Sequence, residues 1–462
     1  MNAAMKDKQI LVAGLGKSGL AAMDTLLKEG AILSVYDDRD IEKDEPELFA
    51  RLKEAHADCF LNGTAVEDRA WDMIVLSPGV PLSLPFVVNA KKQGAKVIGE
   101  IELAYILGRG KYAAITGTNG KTTTITLIGE LFTAAGLETF VVGNIGTPVV
   151  SKAVIASDDN WLVTEVSSFQ LETIEMFKPK IAALLNITPE HLDRHETMEN
   201  YAAAKARIFE NQDEHDFLVY NADDQLVASL VATAKSKKVP FSRLRSLETG
   251  AFVMNGMVVY SENKNAKPID IVRVEKLQIP GAHNLENILA ATAIAFAAGI
   301  KPEVISKALI SFKGVEHRIE FVTEIDGIGF VNDSKGTNPD ASIKAIEALG
   351  EKSEILLIAG GYDKNADFSE FISMVVKQVK KLILIGATSE MIKEKALLEG
   401  FPEKEIVMAE NMGDAVQSGL DFANAGDTVL LSPACASWDM YENFEERGSH
   451  FKSLVRDLEM KK

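Results

Sequence analysis

The chain has 462 residues, 47% of them hydrophobic and 25% charged, and a formal net charge of −18. A chain of this length is too long for one ordinary hydrophobic core and predicts about three domains. The negative charge argues against nucleic acid and anionic membranes as partners, so a nucleotide would have to be bound locally, by loops and helix ends.

The cysteines and the apolar runs bear on the compartment. Only Cys59 and Cys435 are present, which argues against a disulfide framework or a cysteine zinc site and favours a reducing compartment. The polar residues 1–9 do not resemble a signal peptide. The longest apolar run, 288–300, is too short to span a bilayer. We therefore expect a cytoplasmic protein with no membrane partner. Separately, we expect a monomer.

The first segment begins with a strand and a glycine-rich turn. The apolar run Ile10–Ala13 leads into Gly14–Gly19, which reads Gly-Leu-Gly-Lys-Ser-Gly, and then into a helical pattern. A second strand ends at Asp37 and Asp38, at about the distance where an acidic residue meets a ribose hydroxyl. Such a turn could bind a nicotinamide or flavin cofactor, form part of a uridine nucleotide pocket, or simply allow close packing. The sequence does not decide between these three alternatives. Ser77–Gly79 ends a further strand and would lie at the same ligand-binding edge.

The strongest motif follows the apolar run 113–116. The loop reads Gly117-Thr118-Asn119-Gly120-Lys121-Thr122-Thr123 and opens a helical pattern. Glycines let backbone N–H groups approach an anion, a lysine can meet terminal phosphate charge, and a hydroxyl can reach magnesium. We assign these roles to Gly117 with Gly120, to Lys121 and to Thr122. The general phosphate-loop pattern would have a glycine where this chain has Ile115, so this loop is shorter, and a plain strand-to-helix turn is the alternative.

Three further apolar runs end in polar residues beside this loop. They reach Asn144, Glu165 and Asn186 and alternate with helical stretches, the pattern of a parallel sheet covered on both faces. Glu165 could hold magnesium beside a nucleotide, or be a solvated glutamate at a strand end. In the loop that follows, we favour His191 over His195 as a metal ligand or water-orienting group because it lies nearer the strand.

The rest of the middle segment combines helices with a small antiparallel addition. Lys205 lies in an Ala-rich helical run, and periodicity alone places it on the solvated face. The predicted antiparallel addition comprises three runs rich in β-branched residues, 217–221, 250–260 and 269–277. Asn284 and Asn287 share a face at the start of the next helix, where they could cap it or contact a nucleotide.

The last segment predicts a hairpin followed by a further doubly wound unit. Asp326-Gly327 separates two apolar runs, a strong hairpin signal. A polar loop, 333–340, leads into the next helix. Four strands then alternate with helices, at 355–359, 382–385, 406–409 and 428–431. Gly360–Lys364 and Ser432–Ser437 each follow a strand and would lie on the ligand-binding edge, although each could be a simple turn.

Together these patterns predict an α/β fold of three domains. Residues 1–99 would form a Rossmann-like N-terminal domain. Residues 100–314 would form a central P-loop, mononucleotide-binding parallel sheet with the small antiparallel addition, and residues 315–462 a Rossmann-like, doubly wound C-terminal domain.

The ordered motifs over nearly the whole chain resemble those of the ATP-dependent Mur ligases of bacterial cell-wall synthesis. The matching positions are Gly117–Thr123, Asn144–Gly146, Glu165, His191, Lys205, Asn284, His317-Arg318 and Asp333–Lys335. Glu165–Glu172, Leu431–Ser437 and Asn443-Phe444 are similar to the members of the family that add D-glutamate. An Asp-Asn-Pro-Arg motif, typical of members that add diaminopimelate or lysine, is absent.

This resemblance implies that ATP drives amide-bond formation between UDP-N-acetylmuramoyl-L-alanine and D-glutamate through an acyl phosphate. It implies a site with Mg²⁺ and with a carbamate on Lys205. The implied catalytic residues are Lys121, His191, Lys205 and Lys335. The implied ATP contacts are Gly117, Thr118, Asn119, Gly120, Lys121, Thr122, Thr123, Asn284, Arg318 and Asp333.

The remaining roles implied by the resemblance concern the metal and the two other substrates. The implied magnesium ligands are Thr122, Glu165, His191 and Lys205. The implied contacts of the UDP-linked substrate are Leu15, Gly16, Ser18, Asp37, Asp38, Ser77, Gly79 and Asn144. The implied contacts of D-glutamate are Thr337, Lys364, Ser437 and Phe444.

Two kinds of alternative remain at this stage. Another ligase of the same architecture, such as folylpolyglutamate synthetase, would differ in its substrate. A nicotinamide-dependent oxidoreductase would use Gly14–Gly19, and an ATP-gated binding protein would not couple phosphate release to an amino acid. Neither of these last two explains the motifs of the middle segment.

Overall fold

The computed structural model describes residues 5–66, 69–144, 146–350, 353–363 and 366–460. The chain divides into two compact units, one comprising residues 1–275 and 286–309 and the other residues 276–285 and 310–462. Within the described residues the first unit holds two β-sheets and the second unit holds one. The three-part α/β fold is therefore confirmed, and the domain boundaries after residues 99 and 314 stay a prediction.

The first sheet is built from five short strands with helices between them. The strands are β1 Gln9–Ala13, β2 Ile32–Asp37, β3 Asp58–Leu61, β4 Met73–Leu76 and β5 Lys96–Gly99. The helices are α1 Lys17–Lys28, α2 Ile41–Asp44, α3 Pro46–Glu54, α4 Pro85–Lys92 and α5 Glu100–Leu107. All strand pairs are parallel, in the order β3-β2-β1-β4-β5. This order confirms the Rossmann-like prediction.

The glycine-rich turn between β1 and α1 is closely packed. A Cβ atom at Gly19 would lie 1.8 Å from the carbonyl oxygen of Gly14. Ser77 Oγ donates a hydrogen bond of 2.8 Å to that same carbonyl. Glycine is needed at position 19 because the first turn of α1 approaches the end of β1 without room for a side chain.

The central sheet is larger and begins with the strand before the phosphate loop. Its strands are β6 Lys111–Thr116, β7 Thr139–Gly143, β8 Trp161–Glu165, β9 Ile181–Leu184, β10 Phe217–Asn221, β11 Lys237–Ser242, β12 Gly250–Met254, β13 Met257–Ser261 and β14 Ile269–Arg273. The helices of this part of the chain are α6 Lys121–Ala134, α7 Val149–Ala153, α8 Ser168–Leu171, α9 Leu192–His195, α10 Met198–Ala206, α11 Gln225–Leu230, α12 Ala282–Ala297 and α13 Pro302–Ser311. The strand order is β14-β13-β12-β11-β10-β9-β6-β8-β7.

The antiparallel addition is an extension of this sheet. Strands β12, β13 and β14 pair antiparallel with one another, as predicted. The prediction is wrong for Phe217–Asn221, because β10 pairs in parallel with both β9 and β11. An apolar, β-branched run indicates a buried strand, but its neighbours and their direction are decided by tertiary pairing.

The two sheets of the first unit share one hydrophobic core. That core includes Ile10 and Val12 of the first sheet together with Leu162 and Leu184 of the central sheet. Helices α5 and α7 contribute further buried side chains to it, among them Ile101, Leu103, Val149 and Val150. Because apolar surface of both sheets is buried in the same cluster, they belong to a single compact unit.

The sheet of the second unit is mixed. Its strands are β15 Glu320–Ile325, β16 Ile328–Asn332, β17 Ile355–Ala359, β18 Val379–Leu384, β19 Ile406–Met408 and β20 Thr428–Leu431. Its helices are α14 Pro339–Gly350, α15 Ser369–Gln378, α16 Ser389–Leu398, α17 Met412–Phe422 and α18 Phe444–Met460. The strand order is β15-β16-β20-β17-β18-β19, with only β15 antiparallel to its neighbour among the described pairs.

The predicted hairpin and the doubly wound arrangement are both confirmed. Asp326 and Gly327 join β15 to β16 with φ angles of 52° and 77°, as a two-residue hairpin turn requires. Adjacent residues of β17 face opposite cores, with Leu357 in one cluster and Ile358 in another. This sheet is therefore covered on both faces.

Among the described residues, no helix combines the length and the hydrophobicity needed to cross a membrane. The apolar run 288–300 lies mainly in α12, where Leu289, Ala291 and Ile294 are fully buried. Its hydrophobicity serves the core of the protein.

Candidate active site

The phosphate loop joins β6 to α6, as predicted. Gly120 precedes the helix with a φ angle of +83°, and a Cβ atom there would lie 2.2 Å from Asn287 Oδ1. A side chain at position 120 is therefore opposed by both backbone strain and steric overlap. Asn287 Oδ1 also accepts a hydrogen bond of 3.3 Å from Thr124 Oγ1. Of the two asparagines noted in the sequence, Asn287 is thus the one that packs on the loop.

Two lysines donate to one carbonyl of this loop. Lys121 Nζ lies 2.8 Å from the Gly117 carbonyl oxygen and 2.7 Å from that of Thr118. Lys205 Nζ donates to the same Gly117 oxygen at 2.9 Å. Both ammonium groups therefore lie at the position where a phosphate loop presents positive charge.

Lys205 is buried, so its placement on a solvated helix face was wrong. Only 2% of the residue is exposed, and Nζ lies 4.6 Å from the centroid of the Tyr201 ring. Helical periodicity cannot detect this because the surrounding face of α10 is rich in alanine and carries little amphipathic signal. Burial, and after it the positive charge of Lys121, lower the pKa of Lys205 from 10.5 to about 7. A substantial fraction of this amine is therefore neutral near pH 7.

Polar side chains at the start of α6 and at two strand ends meet beside the loop. Thr122 Oγ1 donates a hydrogen bond of 3.1 Å to Glu165 Oε2, and Asn144 Nδ2 lies 3.4 Å from Glu165 Oε1. Glu165 is 1% exposed, which excludes the solvated alternative. The strands β6, β8 and β7 are neighbours in this order, so their carboxyl ends share one edge of the sheet.

This donor set fits part of a magnesium site. A hydroxyl and a carboxylate oxygen are ligands that Mg²⁺ prefers, and the ion usually completes its shell with water and substrate phosphates. In the described ranges no group of three or more His, Cys, Asp or Glu side chains could hold a metal ion by itself. The side chains Thr122 and Glu165 therefore suit an ion that arrives with a nucleotide.

The two histidines of the next loop differ in burial. His191 has a φ angle of +55° and a side chain 48% exposed, and its ring centroid lies 4.9 Å from that of Phe169. His195 is 5% exposed and pairs with Ser168 Oγ at 2.9 Å through Nε2. His191 is therefore accessible to a ligand, and its role as a metal ligand stays a prediction.

Two further side chains hold the loop in place: Asn186, which the sequence marked as a polar strand end, and Tyr201, which it did not single out. Asn186, at the end of β9, accepts from the N–H of Asn119 at 2.8 Å and donates to its carbonyl at 3.1 Å. Tyr201 OH lies 3.2 Å from both Thr118 Oγ1 and Glu190 Oε2. The position of Asn186 at a strand end was a usable signal, whereas nothing in the local sequence marks Tyr201.

On the first sheet, Asp37 is engaged within the turn. Its carboxylate accepts from the N–H of Leu15 at 2.7 Å and from Arg39 Nε at 2.9 Å. Burial acts to raise the pKa of Asp37, but the hydrogen bonds from Arg39 and Leu15 together lower it below its usual value. Gly16 and Gly79 are exposed, and Ser18 and Ser77 are partly exposed, at the same edge.

Asp38 faces away from this group. It accepts a short hydrogen bond from Tyr36 OH and borders a cavity of about 370 Å³ lined by the aromatic side chains Tyr36, Trp71 and Phe86. Asp37 and Asp38 therefore have different environments although they are adjacent in sequence.

In the second unit a buried carboxylate lies at the strand ends. Asp333 follows β16 and accepts from Ser432 Oγ at 2.6 Å and from the N–H of Ile319 at 3.2 Å. Burial raises the pKa of Asp333 to about 6, although the Ser432 hydrogen bond and the charge of Arg318 lower it. Asp333 and Arg318 are therefore brought together, while their contacts with ATP stay a prediction.

A buried arginine joins two loops of this edge. Arg447 Nη2 donates to the Ser334 carbonyl at 2.8 Å and Arg447 Nε donates to Ser334 Oγ at 3.0 Å. Its Nη1 donates to the carbonyls of Cys435 and Ala436 at 3.2 Å. Burial lowers the pKa of Arg447 to about 10. Sequence reasoning missed this residue because an arginine inside an exposed-looking helical pattern resembles a solvated one.

The described D-glutamate candidates follow β16 and β20 or begin α18, and their role as substrate contacts stays a prediction. Lys335 Nζ lies 5.4 Å from the centroid of the Phe444 ring, and the Phe444 carbonyl accepts from Ser334 Oγ at 2.8 Å. Ser437 is 3% exposed and lies in the loop held by Arg447. Thr337 donates through its N–H to the Lys335 carbonyl at 2.8 Å. Lys364 lies outside the described residues.

Asn284 is engaged by its own helix start. It is 6% exposed, and its Nδ2 donates to the Pro280 carbonyl at 2.6 Å. This hydrogen bond stabilises the start of α12, and a contact of Asn284 with ATP stays a prediction.

The phosphate loop, the parallel sheets and the polar groups at their carboxyl edges define a nucleotide-dependent α/β protein. Models of three domains match the chain: "Mur ligase MurD-like, N-terminal domain" at residues 8–99, "Mur ligase middle domain" at 115–295 and "Mur ligase, glutamate ligase domain" at 317–435. The chain therefore belongs to the Mur ligase family.

Curated relatives resemble the chain over almost its full length. A protein of Caldanaerobacter subterraneus subsp. tengcongensis named UDP-N-acetylmuramoylalanine--D-glutamate ligase is 50% identical over 455 residues, which is 98% of this chain and 99% of that protein. A protein of the same name from Clostridioides difficile is 45% identical over 456 residues, again 98% and 99%.

Solved structures of more distant proteins share the fold. The UDP-N-acetylmuramate-alanine ligase MurC of Thermotoga maritima has a TM-score of 0.60 at 18% identity, covering 98% of this chain and 100% of its own. The MurF ligase of Thermotoga maritima, solved in complex with ADP, also has a TM-score of 0.60 at 18% identity, covering 99% and 97%. At this identity the likeness concerns the fold alone.

Proposed function

We propose that this protein uses ATP to join the amine of D-glutamate to the L-alanyl carboxyl group of UDP-N-acetylmuramoyl-L-alanine, a step of peptidoglycan precursor synthesis. The observation that carries this proposal is the 45 to 50% identity, over 98% of the chain, with relatives named for that reaction. The phosphate loop and the lysines beside it are the chemistry that such a reaction needs.

The reaction must first activate a carboxylate. An L-alanyl carboxylate oxygen attacks the γ-phosphorus of ATP, the bond to ADP breaks, and an acyl phosphate forms. The D-glutamate amine then attacks the acyl carbon, orthophosphate leaves, and the amine gives up a proton. Lys121 would stabilise the charge that spreads over the transferred phosphoryl group. We also propose that Lys335 lies beside the reacting carboxyl, phosphoryl and amine groups.

The proposed magnesium ligands are Thr122, Glu165, His191 and a modified Lys205. When bound, Mg²⁺ neutralises phosphate charge. Lys205 would carry a carbamate, formed when its neutral amine attacks carbon dioxide and releases a proton. Support comes from the burial of Lys205 and from its pKa of about 7, because only the neutral amine can form this bond.

The substrate contacts that we propose follow the two units. In the first unit, the UDP-linked substrate would contact residues that flank strands of the first sheet, Leu15, Gly16, Ser18, Asp37, Asp38, Ser77 and Gly79, together with Asn144 after β7 of the central sheet. The loop Gly117–Thr123 would bind ATP. In the second unit, Asn284, Arg318 and Asp333 would contact ATP, while Thr337, Lys364, Ser437 and Phe444 would contact D-glutamate. We also propose a cytoplasmic monomer, consistent with an acidic chain whose two cysteines are free.

The direct test is orthophosphate release from ATP with the UDP-linked precursor and a panel of D- and L-amino acids. Release that requires D-glutamate, with the dipeptide product detected by mass spectrometry, is the expected result. Release with a folate and L-glutamate instead would point to the alternative ligase. No release with any acceptor would overturn the proposal.

A further inference from the structure

The carboxylate of Glu172 connects two side chains that the proposed chemistry does not use. Its Oε2 lies 2.9 Å from Arg194 Nη2, and its Oε1 lies 3.5 Å from His195 Nδ1. All three side chains are largely buried, with exposures of 20% for Glu172, 23% for Arg194 and 4% for His195. A charge pair held in this way has a defined geometry, unlike an exposed pair.

One connection runs from His195 toward the strand that carries Glu165. His195 Nε2 lies 2.9 Å from Oγ of Ser168, which begins α8 three residues after Glu165. A proton on Nδ1 would face the Glu172 carboxylate, and in that tautomer Nε2 would accept from the Ser168 hydroxyl. The ring stacks on Phe169, with centroids 5.3 Å apart and planes inclined by 14°.

The contacts from Ser168 to His195 and from His195 to Glu172 also resemble those of a catalytic triad, in which a base activates a serine nucleophile. Ser168 is only 2% exposed and His195 5% exposed, so an acyl substrate could not reach the hydroxyl. The arrangement therefore holds parts of the protein in place rather than performing acyl transfer.

The other connection reaches the first sheet. Arg194 Nη1 donates a hydrogen bond of 2.8 Å to the carbonyl of Pro78, and its guanidinium lies 4.1 Å from the centroid of the Phe169 ring. Pro78 is the middle residue of the turn after β4, whose Ser77 also bonds to the Gly14 carbonyl. Arg194 thus fastens this turn to the segment that follows Glu165.

We propose that Arg194 and His195, joined through Glu172, are positioning residues that hold the turn Ser77–Gly79 in register with Glu165. This inference rests on the proposed function in one respect: the turn is taken to bind the UDP-linked substrate. A substrate held at its UDP end and reacting at its other end is sensitive to small displacements of either support. The connection would therefore set the affinity for that substrate without touching ATP.

The test compares Arg194→Gln with a matched control, Arg207→Gln. Arg207 holds the same segment through the carbonyls of Leu171, Glu172 and Ile174, but it does not reach the first sheet. Isothermal titration should show that Arg194→Gln raises the Kd of the UDP-linked substrate about tenfold, because the hydrogen bond to the Pro78 carbonyl that holds the turn is lost. The Kd of ATP should stay within about twofold of wild type, and Arg207→Gln should leave the Kd of the UDP-linked substrate within the same limits.

A conservative variant separates positioning from folding. His195→Phe should raise the same Kd, and His195→Gln, which can still bond to Ser168, should restore part of the affinity. Equal Kd values in wild type and Arg194→Gln would overturn the inference. An equal loss in Arg207→Gln would do so too, because general loosening of the segment would then explain the effect.

A second measurement does not depend on the substrate. Hydrogen–deuterium exchange at the N–H of Val80, which bonds to the Ser77 carbonyl at 3.0 Å, should be faster in Arg194→Gln and unchanged in Arg207→Gln. Unchanged exchange in Arg194→Gln would overturn the positioning role. Failure of the wild-type protein to bind the UDP-linked substrate, with exchange behaving as expected, would count against the proposed function alone.

Discussion

Lys121 and Lys205 donate hydrogen bonds to the same oxygen atom, the carbonyl of Gly117, at 2.8 and 2.9 Å. Two ammonium groups that share one acceptor atom repel each other. This repulsion adds to the effect of burial in lowering the pKa of Lys205. The sequence places these lysines 84 positions apart, and the fold makes one the electrostatic neighbour of the other. The roles that we propose for them differ: Lys121 meets the charge of the phosphates, and Lys205 carries a carbamate.

Replacing Lys205 by alanine should lower turnover about 100-fold or more, because a buried negative ligand is lost from the metal site. A short carboxylic acid such as propionate should restore part of the activity by occupying the same space. Wild-type protein supplied with ¹³C-bicarbonate should show a carbamate carbonyl resonance that is missing in Lys205→Ala. If the wild-type protein shows no such resonance and the acid gives no rescue, the carbamate assignment is wrong.

Replacing Lys121 by alanine should lower kcat about 100- to 1000-fold, equivalent to roughly 3 to 4 kcal/mol of transition-state stabilisation. Propionate should not rescue this variant, because the missing charge is positive. Lys111→Ala is the matched control, since Lys111 begins the same strand β6 and its side chain is 47% exposed. Steady-state phosphate release measures all three proteins. Undiminished turnover of Lys121→Ala would exclude the role.

The contact between Gly120 and Asn287 predicts strong coupling. Gly120→Ala should destabilise the first unit by about 3 kcal/mol, through the left-handed backbone and the overlap with Asn287 Oδ1. In an Asn287→Ala background the same substitution should cost only about 1 kcal/mol, the backbone contribution alone. A double-mutant cycle from denaturant unfolding measures the difference. Additive effects would show that the two residues do not meet.

Glu100 predicts a dependence of stability on pH. It is 1% exposed, and burial raises its pKa from 4.5 to about 7. The folded protein therefore holds a proton that the unfolded chain releases, so the contribution of Glu100 is fully present below pH 4.5 and is lost as the pH rises through 7. The loss amounts to about 3 kcal/mol.

Unfolding measured between pH 4 and 8 should show this decline in the wild type and a flatter profile in Glu100→Gln. Glu54→Gln, at an exposed glutamate of α3, serves as the control and should keep the wild-type profile. Parallel profiles for wild type and Glu100→Gln would contradict the assignment.

Replacing Arg447 by lysine should destabilise the second unit by about 2 to 4 kcal/mol, because one ammonium cannot serve the carbonyls of Ser334, Cys435 and Ala436 together. The KM for D-glutamate should rise more than the KM for ATP, since the loop with Ser437 loses its support. Arg456→Lys is the control, an exposed position on the same helix α18. Equal changes in both KM values would argue against a local effect.

Much of the fold followed from local patterns. The strand Trp161–Glu165, the phosphate loop and the Asp326-Gly327 hairpin lie where they were predicted, because short-range periodicity and turn chemistry decide such elements. The parallel pairing of β10 was missed, since the sequence of an apolar strand does not show which strands pair with it or in which direction.

The site divides in the same way. The sequence directly shows which residue types follow a strand or lie in the glycine-rich loop. Lys121, Thr122 and Glu165 could therefore be proposed from their positions in these motifs alone. Burial of Lys205, the engagement of Asp37 by Leu15 and Arg39, and the position of Arg447 depend on chain segments far apart in sequence. Local sequence determines which chemical groups the chain carries and which elements they begin or end. Tertiary packing alone decides which groups lose water, and with it which of them keep their charge.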